Sequence, residues 1–258
     1  QKEAEKKSLN IAPAEVINLN TVETLHCNVS TRIKTNIGEV DRVLGGGILP
    51  GSLILLSGEP GIGKSTIVAQ IAYAVSQGVG HPIGCPTPST VIYSGGEESA
   101  AQIKARLERL NCLGENIFFI SETNAEKILA TAEQIKPTLL IIDSIQTVHT
   151  SFVESEAGSI TQIRASAVKF LELAKQKNIA VILIGHITKD GSIAGPKALE
   201  HIVDTVIYLE TENVHNYRVL RAEKNRFGSV NEICIFEMTC AGFKEIKNPS
   251  AIFLEISA

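Results

Sequence analysis

GEPGIGKST, residues 58–66, stands between an apolar run, SLILLS (52–57), and IVAQIAYAVSQ (67–77). Gly58, Gly63, Lys64 and Ser65 meet the pattern G-x-x-x-x-G-K-[ST] in full, a glycine-rich turn that joins a strand to a helix. Glycines let the backbone curl so that successive N–H groups converge on one anion. The helix that follows adds its positive N-terminal end. Glu59, Pro60, Gly61, Ile62 and Thr66 complete the expected cradle. In that setting Lys64 is expected to face the β- and γ-phosphates of a nucleoside triphosphate. The Ser65 hydroxyl is expected to complete a Mg²⁺ shell.

Outward from the cradle, strand and helix patterns alternate. LILLS (53–57) precedes an expected helix at 64–77, and TVIYS (90–94) precedes one at 98–110. IFFI (117–120) leads to a helix capped by Asn124 and running to Gln134; Pro137 then breaks the chain before TLLIID (138–143). In 159–177, Ile160, Ile163, Ala167, Phe170, Leu171 and Ala174 recur at three- and four-residue steps, which predicts a helix before AVILIG (180–185). Strands such as LLII and VILI are apolar without alternation, so both faces must be covered. The fold class expected is therefore α/β, a mostly parallel sheet between helices. DTVIYLE, YRVLRAEK, EICIFEMT and FKEI, after residue 203, read as an antiparallel extension. Residues 78–89 read as a surface connection and 1–30 as an N-terminal tether, leaving 31–258 as one domain.

Composition narrows the class. Of 258 residues, 44% are hydrophobic and 20% charged, as in a globular protein. No apolar run reaches eighteen residues, and the opening QKEAEKKSLN lacks the apolar stretch of a secretion signal, so no membrane partner is expected. Cysteines at 27, 85, 112, 234 and 240 are odd in number and form no C-x-x-C pair. Neither a disulfide framework nor a zinc site is expected, and a reducing cytoplasm fits. With a net charge of −4 and a pI near 5.9, the chain does not grip nucleic acid by overall charge.

A phosphate cradle calls for acidic partners. TLLIID ends in Asp143, on a strand expected beside the cradle strand, which would bring its carboxylate near the Mg²⁺ through Ser65 or a water. VIYSGGEES brings Glu97 and Glu98 to the same carboxyl edge of the sheet, where open α/β sheets bind ligands. Glu97 is closer to the strand end and is the expected base for the attacking water, although Glu98 stays open as the alternative.

Glu97 after the second strand, away from Asp143, is similar to the RecA-like branch of P-loop ATPases. Longer stretches narrow the likeness: GEVDRVLGGGILPGSLILLSGEPGIGKST (38–66), YSGGEESAAQIKARLERL (93–110), LIIDSIQT (140–147), AGSITQIR (157–164), LIGHITKDGSIAGPKALEHIVDTVIYLE (183–210) and RAEKNRFGS (221–229). Together they closely resemble the RadA (Sms) family of bacterial DNA-repair ATPases, from about Thr31 to the end, with KNRFG the most specific motif. Ala157 stands where that family carries a proline. The family's four-cysteine zinc module and Lon-protease-like domain have no counterpart here, and NPSAIFLE (248–255) reads as the point where the latter would begin.

The resemblance implies an ATP- and Mg²⁺-dependent core that assembles as a homohexamer on single-stranded DNA, drives branch migration and meets a recombinase. It further implies that His186 senses the γ-phosphate, and that Lys224 and Arg226 reach a neighbouring subunit's ATP. A trans-acting guanidinium suits the charge that phosphoryl transfer builds on outlying oxygens. Lys224 and Arg226 are two apart, so on a strand both face one side. HTSFVESEAGS (149–159) and ITKDGSIAGPK (187–197) are the loops expected at the channel of such a ring. Lys189 and Lys197 are the expected phosphate contacts, whereas Glu154 and Glu156 oppose DNA and Phe152 is the one aromatic platform on either loop. A second class stays open: a nucleotide-gated signalling scaffold similar to the clock protein KaiC, which the acidic pI favours.

Overall fold

A computed structural model describes residues 32–78, 89–186, 196–212 and 217–246. The tether and most of the 78–89 connection lie outside these residues, as does the greater part of the second loop. The short α1 (Gly38–Val43) precedes β1 (Leu53–Gly58) and α2 (Lys64–Ser76). Three further strand–helix pairs follow: β2 (Val91–Gly95) with α3 (Ala100–Arg109), β3 (Ile117–Ile120) with α4 (Ala125–Ile135), and β4 (Leu139–Asp143) with α5 (Ile160–Lys177). The chain continues through β5 (Ala180–His186), a 3-10 turn (Pro196–Ala198), β6 (Thr205–Thr211), β7 (Tyr217–Asn225), β8 (Ile233–Thr239) and β9 (Gly242–Glu245).

The described strands form one sheet in the order β3-β2-β4-β5-β1-β6-β7-β8-β9. Both faces are covered, as the unbroken apolar runs require. Ile54 and Leu56 of β1 and Leu139 and Ile141 of β4 join one core with Val40 of α1, Val68 and Ile71 of α2 and Leu107 of α3. Their neighbours Leu53, Leu55, Leu140 and Ile142 join the other, with Ile128 of α4 and Phe170 of α5. Residues alternate between faces along each strand, so each run serves two cores at once. Helix starts follow their caps: Ser99 forms a capping box with Gln102, Asn124 accepts from the Lys127 amide, and Ser159 from the Gln162 amide.

Two expectations are corrected. The Asp143 strand is not beside the cradle strand, because β5 lies between β1 and β4. The antiparallel part also begins one strand later than expected. β6 runs parallel to β1, with Ile54 opposite Thr205 and Gly58 opposite Leu209, and the direction reverses only at β7. The middle of DTVIYLE, VIYL (206–209), is an unbroken apolar run like those of the central strands, and that pattern does not encode strand direction. Among the described residues no helix is long and apolar enough to cross a membrane.

Candidate nucleotide site

The cradle turn leaves β1 at Gly58 and enters α2 at Lys64, with Gly63 at the N-cap. Gly63 has φ 110°, a backbone that L side chains rarely adopt. A Cβ there would come within 2.5 Å of Met238 Cε, since the β8–β9 hairpin packs directly on the turn. Gly58 is equally confined: a Cβ would lie 2.4 Å from the Leu209 carbonyl oxygen. Arg218 Nε on β7 donates to the Ile62 carbonyl at 3.2 Å and braces the same loop. Glu59, Pro60 and Gly61 form its exposed crest, and Ser65 and Thr66 are half-buried in the first turn of α2.

Lys64 is buried, and its Nζ donates to the carbonyls of Gly58 at 2.8 Å and Glu59 at 2.7 Å. Burial lowers its pKa to about 8, against the opposing pull of the Asp143 and Glu97 carboxylates. The ammonium therefore sits at the edge of losing its proton, where a polyanion would hold it charged.

Three strands, β2, β4 and β5, carry the acidic and imidazole groups to the rim where β1 ends in the cradle. β2 and β4 are paired with Gly95 opposite Asp143, and β1 and β5 with Gly58 opposite His186. One cleft is lined by Ser65, Gly95, Glu97, Glu98, Ile103, Asp143 and His186. The sheet thus brings Glu97, Asp143 and His186 to Ser65, although β5 intervenes between the cradle and Asp143. Glu97 Oε1 accepts from the buried Ser144 hydroxyl at 2.6 Å and lies 3.7 Å from His186 Nε2. Burial, with Lys64 nearby, pushes the His186 pKa down, and Glu97 and Asp143 pull it up. Glu98 differs in kind: it precedes the Ser99 cap and pairs with Arg106 of α3. The expected helix at 98 begins instead at Ala100; both glutamates line the cleft, with Glu98 Oε1 paired to Arg106 and Glu97 Oε1 to Ser144.

Hard oxygen donors from Ser65 and Asp143 on one cleft, at the end of a glycine-walled turn, fit a Mg²⁺ that also takes phosphate oxygens. Tyr93 and Ser144, which contact Asp143 and Glu97, were missed from the sequence. A lone tyrosine in the apolar strand VIYS was the signal available for the first.

Lys224 and Arg226 lie at the opposite rim. Thr205, at the start of β6, pairs with Asn225 at the end of β7, whereas the cradle follows the far end of β1. Strand spacing does not align the pair, because β7 ends at Asn225 and its register shifts near Val206. Instead, both meet the 200–204 segment. Lys224 Nζ donates to the carbonyls of Glu200 and Val203 at 2.6 and 2.7 Å, and Arg226 Nη1 is 3.4 Å from Asp204 Oδ1. Lys189 lies outside the described residues, and Lys197 is exposed on the 3-10 turn. The first loop is pinned by buried Gln162, whose amide donates to the carbonyls of Thr150, Val153 and Ser155. Phe152 is 78% exposed there, with Lys169 Nζ 4.2 Å from its ring centre.

A mostly parallel sheet with a phosphate cradle after its first strand, a glutamate after the second and an aspartate at the end of the fourth defines a RecA-like P-loop ATPase. Solved structures share this fold: a KaiC-like protein from Pyrococcus horikoshii matches with a TM-score of 0.67 at 22% identity, covering 83% of this chain and 98% of that one. The RadB recombinase matches with a TM-score of 0.62 at 19% identity, covering 83% of this chain and 100% of that one. The chain belongs to the AAA domain family, whose model matches residues 21–192. It is 49% identical over 224 residues to the DNA repair protein RadA of Listeria monocytogenes, covering 87% of this chain and 47% of the relative. The DNA repair protein RadA of Streptococcus pneumoniae is 48% identical over 237 residues, covering 92% of this chain and 54% of the relative. The chain thus spans about half the length of the curated relatives it matches.

Proposed function

We propose that this chain is the ATP-hydrolysing core of a cytoplasmic DNA-repair motor that assembles as a ring on single-stranded DNA and promotes branch migration. One observation carries the reading: Glu97, Asp143 and His186 converge with Ser65 on a single cleft, while Lys224 and Arg226 stand at the opposite rim. A subunit so built cannot bring its own Arg226 to its own cradle. The arginine then serves a neighbour, and turnover requires assembly. The 49% identity to a protein named for DNA repair supplies the process.

In this reading the amides of residues 59–66 and the Lys64 ammonium hold the β- and γ-phosphates of ATP. Ser65 and Asp143 would hold Mg²⁺, which when bound offsets charge on the phosphate oxygens. Glu97 orients a water and accepts its proton as the oxygen bonds to γ-phosphorus and the bond to ADP breaks. Ser144 holds one oxygen of that carboxylate. His186, beside Glu97 and ahead of residues 187–197, passes the change on to the loop that bears Lys189 and Lys197. Lys224 and Arg226 of the next subunit neutralise charge on the transferred group.

Turnover and mass in solution, each with and without ATP and single-stranded DNA, test this. DNA-stimulated hydrolysis by an ATP-dependent assembly is expected. Turnover indifferent to DNA would favour the signalling scaffold, for which the acidic pI speaks.

A further inference from the structure

The upper ends of β2 and β4 lie side by side, with Gly95 opposite Asp143 and Tyr93 opposite Ile141. Gly95 offers no side chain beside Asp143. Residues two apart share a face of a strand, and Tyr93 stands two before Gly95. Its side chain is 1% exposed, and its hydroxyl donates to Asp143 Oδ2. Among the described residues this is the side-chain donor that reaches the Asp143 carboxylate.

The phenol is itself held in place. Its ring lies 6.4 Å from that of Phe119, and Phe119 closes over Gly95, where a Cβ would meet its ring carbon at 2.9 Å. A donor locked by core packing restricts the torsion of the carboxylate it touches.

We propose that Tyr93 is a positioning residue for the magnesium site: its hydroxyl occupies Oδ2 of Asp143 and leaves Oδ1 for the metal shell beside Ser65. The inference rests on the reading of Asp143 as the metal-shell carboxylate. Groups that orient a metal ligand in this way are worth roughly 10–100-fold in metal affinity. A tyrosine that served packing alone would leave metal affinity unchanged when replaced by phenylalanine.

The test titrates Mg²⁺ against binding of a fluorescent ATP analogue, for the unaltered chain, Tyr93→Phe, Asp143→Asn and the double variant. Tyr93→Phe is expected to raise the Mg²⁺ half-saturation roughly tenfold, leaving metal-free nucleotide affinity unchanged. Added to Asp143→Asn it should change nothing further, since the carboxylate it orients is gone. An unchanged half-saturation in Tyr93→Phe beside a raised one in Asp143→Asn overturns the proposal and spares the metal reading. No change in either variant overturns both. Should Tyr93→Phe fail to fold, the double variant, which leaves no carboxylate unpaired, carries the comparison. A half-saturation above that of Asp143→Asn alone then overturns the proposal.

Discussion

The two rims of the sheet are built on different terms. Where β1, β2, β4 and β5 end, polar atoms outnumber their partners: Ser57 Oγ, Gln146 Oε1 and His186 Nδ1 are buried and meet no hydrogen-bonding group of the described chain. Lys64 turns back onto the carbonyls of its own loop. At the other rim Asp204 is 2% exposed, yet it accepts from the Leu53 amide at 3.0 Å and from Lys175 at 2.7 Å, with Arg226 at 3.4 Å. Arg32 binds the carbonyls of Leu44, Gly47 and Phe227 and ties the glycine loop to the KNRFG turn. A buried polar group without a partner costs about 1–3 kcal/mol. The lower rim avoids that cost by pairing within the chain, and the upper rim carries it where a ligand is handled. Arg226, half exposed and held by a long contact, is the member of the lower rim freest to serve another molecule.

Five experiments would break or sharpen this contrast. The largest effects belong to the cradle and the arginine. Lys64→Ala should abolish ATP binding and turnover, as read by nucleotide binding and phosphate release. Arg226→Ala should keep ATP binding and lose roughly 10³–10⁵ in turnover. Mixing the two variants should restore part of the activity, and failure to do so would return the arginine to a structural role. Next, Glu97→Gln should cut turnover about 10²–10⁴-fold with binding intact, whereas Glu98→Gln should chiefly loosen its pairing with Arg106. Equal losses in both would undo the choice between them. Asp204→Ala should cost about 2 kcal/mol of stability in urea unfolding and spare ATP affinity. Weakened ATP binding in the folded variant would mean that the rims are not independent.

The smallest effect is on pH. Lys64 is protonated below about 8 and neutral above it, and only the ammonium attracts a triphosphate. ATP affinity should therefore be flat up to neutrality and fall as pH rises through 8, roughly tenfold by pH 9. An affinity constant up to pH 10 would show that burial does not lower the Lys64 pKa or that its charge does not hold the triphosphate.

Much of this site was legible before any fold was known. Gly58, Gly63, Lys64 and Ser65 announce themselves because their chemistry is local: a turn, a helix start and a charge within nine residues. Asp143 and Glu97 were legible as carboxylates at strand ends, and Asn124 as a cap. Tyr93 and Ser144 were not, because a hydroxyl in or after an apolar strand gains a role only from what the neighbouring strand sets beside it. Asp204 reads as an ordinary strand-start residue until Lys175, 29 positions earlier, is found against it. That Glu98 pairs with Arg106, eight positions along the chain, was not legible either, because no local rule reaches that far.

By itself the sequence determined the phosphate cradle, the alternation of strands and helices, and the need for helices on both faces of the sheet. Those features follow from contacts within about a dozen residues and from unbroken apolar strands. Tertiary structure alone decided that β5 separates the cradle from Asp143, that β6 runs parallel to β1, and that Arg226 lies at the rim opposite its own cradle. Apolar strands of similar length are interchangeable as sequences. Their order and direction are settled only when every helix must find a face to cover.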